Sequence, residues 1–162
     1  DSSQQYQHFL QQHVLQPLGI KNSILFQRTD DADIRQYAEG LKLFGGIDVF
    51  IHGIGENGHL GFNEPGSSFE STVRRVELSE STRRANARFF EWIDEVPKSG
   101  VTLGLADMIS ARQQLVLACG ERKAKALWQL VRGTPSTQWP VTCLQDHQAV
   151  TVMADKAAAT KL

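Results

Sequence analysis

The chain has 162 residues, of which 41% are hydrophobic and 22% charged, and its formal net charge is -1. This length fits one domain, and the composition excludes a disordered chain, a collagen-like repeat and a simple coiled coil. The near balance of acidic and basic residues argues against a protein dedicated to nucleic acid or to a membrane surface.

Two cysteines, Cys119 and Cys143, are too few for a disulfide framework and lie in no metal-ligand spacing. No apolar run approaches the roughly 18 residues needed to span a bilayer, and the N-terminus lacks the shape of a signal peptide. We therefore expect a reduced, cytoplasmic setting with no metal centre and no membrane partner.

Apolar patterns predict alternating helices and strands along the chain. In chain order we expect a helix over 6–18, a helix over 31–44, a strand over 47–52, a helix over 79–92, strands over 101–103 and 115–118, a helix over 121–131, and strands over 141–144 and 150–153. Ser79 is the expected N-cap of the third helix. The strands are apolar throughout, which is typical of strands covered on both faces. The alternation predicts a single α/β domain, in three layers around a mostly parallel, Rossmann-like sheet.

The loop over 53–66 follows the first predicted strand and is unusually rich in glycine. It holds five glycines in fourteen residues, together with one His, two Glu and two Asn. Ligands of parallel α/β sheets bind beyond the carboxyl ends of the strands. This loop is therefore the first candidate for a functional site.

Gly53, Gly55 and Gly58 formally match the dinucleotide-binding pattern G-x-G-x-x-G. That pattern requires a helix to begin at the third glycine, whose amides hold the pyrophosphate. Pro65 and the further glycines of the loop disfavour a helix there. We therefore expect neither a nicotinamide nor a flavin cofactor.

His59 is the better candidate for chemistry, because an imidazole of ordinary pKa near 6.5 can both donate and accept a proton at neutral pH. Glu64 is close enough in sequence to orient the ring by accepting a hydrogen bond. An isolated histidine would more often be an ordinary turn residue. The surrounding glycines, Asn and Glu favour the catalytic interpretation.

The stretch 55–66, GENGHLGFNEPG, resembles the signature of the glucosamine-6-phosphate deaminase family, which includes the galactosamine-6-phosphate isomerases. The resemblance continues in order through 81–90, 96–98, 101–104, 120–124 and 143–147 and covers nearly the whole chain. The stretches 9–13 and 16–19 resemble the galactosamine branch in particular, so the sequence does not decide between the two substrates.

The resemblance places the ring-opening histidine of the family at His59 and its supporting glutamate at Glu64. Asn57 stands where many members have an Asp, so His59 should depend more on Glu64, because an amide carries no charge. The resemblance also places the phosphate-binding arginine at Arg88 and the phosphate-binding lysine at Lys123. The alternative for each cation is a solvated surface position.

The implied reaction converts an amino-sugar 6-phosphate and water into a ketose 6-phosphate and ammonia, with no metal or organic cofactor. The family's C2 base, an Asp, and its Gly/Thr-rich phosphate loop lie upstream of anything that matches this chain. The resemblance therefore implies that the chain lacks the N-terminal portion of the domain and is catalytically incomplete alone.

Some hexameric members of the family bind an N-acetylated sugar phosphate at a second, allosteric site. Ser67, Ser68 and Arg74 match its pattern, whereas Val76 and Glu77 depart from it, so we expect regulation to be weak or absent. The sequence does not fix the oligomeric state, and a homo-oligomer is one alternative.

Two other functions stay open. One is that of a 6-phosphogluconolactonase, a hydrolase with a related loop, although the Phe-Asn-Glu-Pro-Gly continuation at 62–66 favours the deaminases. The other is a non-catalytic module that binds a sugar phosphate. Nucleic acid is not expected as a partner, because Glu77 and Glu80 interrupt the arginine-rich stretch over 74–88.

Overall fold

The computed structural model of the chain describes residues 6–23 and 30–162. Its helices and strands are, in chain order, α1 (Tyr6–Leu10), α2 (Asp31–Leu43), β1 (Val49–Gly53), β2 (Arg74–Glu77), α3 (Glu80–Asn86), β3 (Ser99–Thr102), α4 (Leu105–Ile109), β4 (Gln113–Ala118), α5 (Ala124–Arg132) and β5 (Val150–Ala154). Shorter helical turns cover Gln11–Leu15, Ala87–Phe89, Ile93–Glu95, Glu121–Lys123 and Pro140–Leu144.

These elements group into two units, which are described separately. Unit 1 comprises Asp1–Leu43 and Arg75–Val101, and unit 2 comprises Phe44–Arg74 and Thr102–Leu162. No helix in the described part of the chain is long and apolar enough to cross a membrane. That the chain forms a single domain stays a prediction.

Unit 2 is built on a three-stranded parallel sheet in the order β1-β4-β5. His52 of β1 lies opposite Val116 of β4, which lies opposite Val152 of β5. Parallel neighbours require crossover connections, and here the connection from β4 to β5 contains α5, whereas that from β1 to β4 contains α3 and α4 together with β2 and β3. The predicted α/β fold with a parallel sheet is confirmed.

The core of unit 2 lies between one face of this sheet and the helices α4 and α5. Val116 contributes from β4, Leu105 from α4, Leu127 from α5, and all three are fully buried. Val49 and Ile51 point to the other face and are 49% and 61% exposed. The expectation that β1 is covered on both faces is therefore wrong for these two residues, because the helices of unit 2 cover only one face.

Unit 1 contains α1, α2 and α3 and most of a two-stranded sheet formed by β2 and β3. The predicted N-cap of α3 is confirmed, since the Ser79 hydroxyl accepts a hydrogen bond from the Thr82 amide at 3.2 Å. Asp30 caps α2 in the same way, through the Asp33 amide at 2.9 Å. The α3 helix ends at Asn86, earlier than predicted, and continues as a tighter turn.

The strand predicted over 141–144 is wrong, because Pro140–Leu144 forms a tight helical turn. Pro140 begins the turn, where its fixed φ is suited to a helix and its missing amide hydrogen costs nothing. The Thr142 hydroxyl donates to the Trp139 carbonyl at 2.7 Å and stabilises the turn locally. Val141 and Leu144 are still fully buried, which explains why the run is as apolar as a strand.

Candidate active site

The glycine-rich loop after β1 folds into successive tight turns. The Gly55 amide donates to the His59 carbonyl at 2.9 Å, and the Gly58 amide donates to the Gly55 carbonyl at 3.0 Å. Leu60 is fully buried and anchors the loop in the core of unit 2. No helix begins at Gly58, as predicted, so the loop does not form the helix N-terminus that a dinucleotide pyrophosphate requires.

Three polar side chains of this loop form a continuous chain of hydrogen bonds. The Asn57 amide nitrogen donates to Glu64 Oε2 at 2.8 Å, and the Asn57 amide oxygen lies 2.8 Å from His59 Nδ1. Because a carboxylate only accepts, Asn57 must turn its NH₂ to Glu64 and its oxygen to His59. His59 therefore carries its proton on Nδ1 when neutral, and the lone pair of Nε2 is available as a base.

His59 is one-third exposed and Glu64 one-quarter exposed, at 33% and 24% of the side-chain surface, and His59 Nδ1 lies 3.7 Å from Glu64 Oε2. Burial lowers the pKa of His59 most strongly. The charges of Glu64 and Glu56 raise this pKa, whereas the charge of Lys123 lowers it. The net lowering keeps the imidazole neutral, and thus basic, at neutral pH.

Lys123 lies in the loop after β4. This loop and the histidine loop both follow the carboxyl ends of neighbouring parallel strands. Lys123 ends the turn Glu121–Lys123 and directly precedes Ala124, the first residue of α5. Gly120 begins that turn with φ +88°, and its amide donates to both carboxylate oxygens of Asp155 at 3.1 and 3.0 Å. The hydrogen bonds from Ala158 and Gly120 lower the pKa of Asp155, so this carboxylate holds the loop as an anion.

An ion pair joins these two loops. The guanidinium of Arg122 lies 2.6 Å from the carboxylate of Glu56, which immediately precedes Asn57. Sequence reasoning missed this pair, because neither residue has a local partner and only the packing of the sheet brings the two loops together.

The segment from Ser136 to Val141 supports the histidine loop at two glycines. The Val141 amide donates to the Gly58 carbonyl at 2.8 Å, and the Gly66 amide donates to the Thr137 carbonyl at 2.7 Å. Trp139 packs so closely that a Cβ at Gly58 would lie 2.9 Å from its ring carbon Cε3. This support was also not predicted, since the strand expected over 141–144 includes only the last residue of this segment.

Asn63 has a structural role in the same loop. It is fully buried, and its amide nitrogen donates to the Leu60 carbonyl at 3.0 Å and to the Leu103 carbonyl at 2.8 Å. These bonds tie the end of the loop to the residue that follows β3.

The remaining predicted residues lie elsewhere. Arg88 belongs to unit 1, in the turn Ala87–Phe89, with an exposed side chain. Ser68 accepts a hydrogen bond from the Glu70 amide at 3.2 Å, and Arg74 donates to the Thr72 carbonyl at 3.2 Å. These local contacts leave the allosteric role of Ser67, Ser68 and Arg74 a prediction. Within the ranges 6–23 and 30–162, no three His, Cys, Asp or Glu side chains are grouped to hold a metal ion.

Comparison with known proteins adds an independent finding. Residues 1–153 match the family model described as glucosamine-6-phosphate isomerases/6-phosphogluconolactonase. A glucosamine-6-phosphate deaminase of Lactobacillus delbrueckii subsp. bulgaricus is 44% identical over 165 residues, which cover 100% of this chain and 70% of that protein. A glucosamine-6-phosphate deaminase of Oceanobacillus iheyensis is 46% identical over 142 residues, which cover 88% of this chain and 54% of that protein.

Solved structures give the same picture of the fold. A monomeric glucosamine-6-phosphate deaminase superposes with a TM-score of 0.90 at 36% identity, covering 100% of this chain and 69% of that structure. A 6-phosphogluconolactonase from Trypanosoma cruzi superposes with a TM-score of 0.62 at 20% identity, covering 92% of this chain and 58% of that structure. The similarity to the 6-phosphogluconolactonase shows only that the two proteins share a fold.

Proposed function

The chain belongs to the family of glucosamine-6-phosphate isomerases and 6-phosphogluconolactonases, and from this premise we propose that it supplies the ring-opening and phosphate-binding groups of an enzyme that converts glucosamine 6-phosphate and water into fructose 6-phosphate and ammonia. The observation that carries the proposal is the Glu64–Asn57–His59 hydrogen-bond chain, which leaves His59 Nε2 as a base. Relatives named glucosamine-6-phosphate deaminase favour the glucosamine over the galactosamine substrate.

His59 is the group that opens the pyranose ring. Its Nε2 takes the proton of the anomeric hydroxyl and returns a proton to the ring oxygen. Between these transfers the imidazole is positively charged, and the carboxylate of Glu64, 3.7 Å from Nδ1, stabilises that charge. A general acid-base step of this kind accelerates a reaction by about 10²- to 10⁴-fold.

Lys123 is the phosphate anchor of unit 2. Its ammonium group and the backbone amides that begin α5 both favour an anion at this position. Arg88 is a second phosphate ligand by resemblance. Abstraction of the C2 proton is assigned to no residue of this chain.

The ring-opening step can be tested without the rest of the reaction. Magnetisation exchange between the α and β anomers of glucosamine 6-phosphate measures ring opening, and we expect the chain to accelerate it. His59→Gln should reduce that acceleration by about 10²- to 10⁴-fold, whereas His13→Gln, at an exposed position of unit 1, should not. Equal exchange with wild type and His59→Gln would contradict the assignment.

The reaction that the protein catalyses distinguishes the proposed deaminase from the alternative, a 6-phosphogluconolactonase. Accelerated anomer exchange of glucosamine 6-phosphate supports the deaminase, and ammonia release, detected with coupled glutamate dehydrogenase, would show that the chain also supplies the C2 base. Hydrolysis of 6-phosphogluconolactone without ammonia release would support the lactonase instead. Binding of either sugar phosphate without ring opening would support the non-catalytic module.

We also propose a cytoplasmic location. Cys119 and Cys143 are free thiols, which is consistent with a reducing compartment. Whether the protein is monomeric or forms a homo-oligomer is decided by its mass in solution, measured by light scattering.

A further inference from the structure

Glu56 and Arg122 each lie next to a residue of the proposed site. Glu56 precedes Asn57 in the histidine loop, and Arg122 precedes Lys123 at the start of α5. Their side chains meet at 2.6 Å, so one ion pair connects the loop after β1 to the loop after β4. The pair therefore links the loop that holds His59 to the residue that precedes Lys123, although neither His59 nor Lys123 takes part in it.

The exposure of this pair limits what it can contribute to folding. Arg122 is 82% exposed and Glu56 is 47% exposed, and ion pairs so open to solvent add little to the free energy of unfolding. Arg112 and Asp48 form an equally short pair, also at 2.6 Å, but at the amino ends of β1 and β4, away from the site. The two pairs are matched in chemistry and differ in their distance from the site.

The charge of Glu56 by itself is unfavourable for an anionic substrate. It lies close enough to His59 to raise the pKa of the imidazole, against the opposite effect of Lys123 and in the same direction as Glu64. It would also weaken the attraction of Lys123 for a phosphate. Arg122 offsets this negative charge, so Glu56 can act as a tether without repelling the substrate.

We propose that the Glu56–Arg122 ion pair is a positioning element that holds the His59 loop against Lys123 and sets the spacing between the proton-transfer group and the phosphate anchor. The inference rests on the proposed function. It assigns to both residues a role in substrate affinity that is separate from the direct effect of each charge on the substrate.

A double-mutant cycle tests the tether on the 162-residue chain. The variants are Glu56→Gln, Arg122→Gln and both together, and the measurement is the dissociation constant for glucosamine 6-phosphate by calorimetry. A tether predicts that each single variant binds about two- to fivefold more weakly, and that the double variant is no weaker than Arg122→Gln. A pure charge effect predicts the opposite sign for Glu56→Gln, because removal of an anion should strengthen binding.

The His59 imidazole, followed by NMR titration, reports charge in the same variants. Its pKa should fall in Glu56→Gln and rise in Arg122→Gln, whereas affinity should fall in both. Asp48→Asn and Arg112→Gln, the matched controls, should change neither affinity nor this pKa.

The outcomes separate the two proposals. If the wild-type chain binds no sugar phosphate, the proposed function is wrong. If wild type binds and Glu56→Gln binds equally or more tightly, or if the effects of the two single variants add, the positioning role is overturned and the proposed function stands. Far-ultraviolet circular dichroism confirms that each variant is folded, which the exposure of both side chains leads us to expect.

Discussion

The amide oxygen of Asn57 lies 2.8 Å from Nδ1 of His59. The same side chain donates to Glu64, so its orientation is fixed by the carboxylate and it in turn fixes the tautomer of the imidazole. An aspartate at this position would present an oxygen to both neighbours. The amide is therefore the group that allows a carboxylate and a neutral imidazole to be linked through one side chain.

Asn57→Asp should raise the pKa of His59, because a neutral acceptor in contact with Nδ1 becomes an anion. Protonation of His59 would also relieve the repulsion between the new carboxylate and Glu64, which acts in the same direction. NMR titration of the His59 ring protons measures the shift. Asn22→Asp, at an exposed position of unit 1, is the control, and an unchanged His59 pKa in Asn57→Asp would contradict the hydrogen-bond assignment.

Glu64→Gln should lower the pKa of His59, because it removes the largest charge effect that raises this pKa. The acid limb of the ring-opening rate should therefore move to lower pH. The maximal rate should fall by about 10- to 100-fold, since the imidazolium loses a charged partner. Anomer exchange measured from pH 4 to pH 9 tests both effects, and an acid limb that moves to higher pH would show that Glu64 does not act through its charge.

Gly58→Ala should destabilise unit 2 more than Gly66→Ala. Both glycines have positive φ, +81° and +96°, so a side chain at either costs about 1 kcal/mol of backbone strain. Only at Gly58 does the new Cβ also meet the Trp139 ring, at 2.9 Å, which adds about 1 to 3 kcal/mol of overpacking. Urea unfolding measures both, and equal losses would mean that Trp139 moves aside freely.

Local signals made part of the molecule predictable. Ser79 was identified as an N-cap because its hydroxyl needs only an amide three residues later. His59 and Glu64 lie within one loop, so their spacing suggested that Glu64 orients the imidazole, although the hydrogen bonds run through Asn57 and not directly between the two. The sequence of this loop also indicated the family to which the chain belongs, and the comparisons confirm it.

Other features depend on partners that are distant in sequence. The strand β2, Arg74–Glu77, has one apolar residue and is defined by its pairing with β3. The Glu56–Arg122 pair exists because parallel strands bring the loops after β1 and β4 to one edge. The tight turn Pro140–Leu144 has the apolar composition of a strand, and Pro140 was the residue that could have indicated otherwise.

A second histidine, His52, is buried within β1. It is 3% exposed, and its Nε2 lies 2.7 Å from Oε1 of Gln114. The Gln114 amide nitrogen donates to the Met108 carbonyl at 2.9 Å, so its oxygen faces His52 and the imidazole donates from Nε2. Burial lowers the pKa of His52, and the hydrogen bond to Gln114 opposes this effect only in part.

This burial makes unit 2 sensitive to acid. The unfolded chain takes up a proton at His52 near the ordinary pKa of about 6.5, whereas the folded chain does so only at lower pH. The stabilisation is therefore complete above that value and is lost as the pH falls through the folded pKa.

We expect the urea midpoint to decrease from pH 8 to pH 5. The variant His52→Gln keeps a donor for Gln114 but does not titrate, so it should reduce this decrease. A smaller decrease should persist, because the pKa of His59 is also lowered. The exposed-histidine variant His13→Gln should follow wild type, and a decrease of the same size in His52→Gln would exclude His52 as a source of the acid sensitivity.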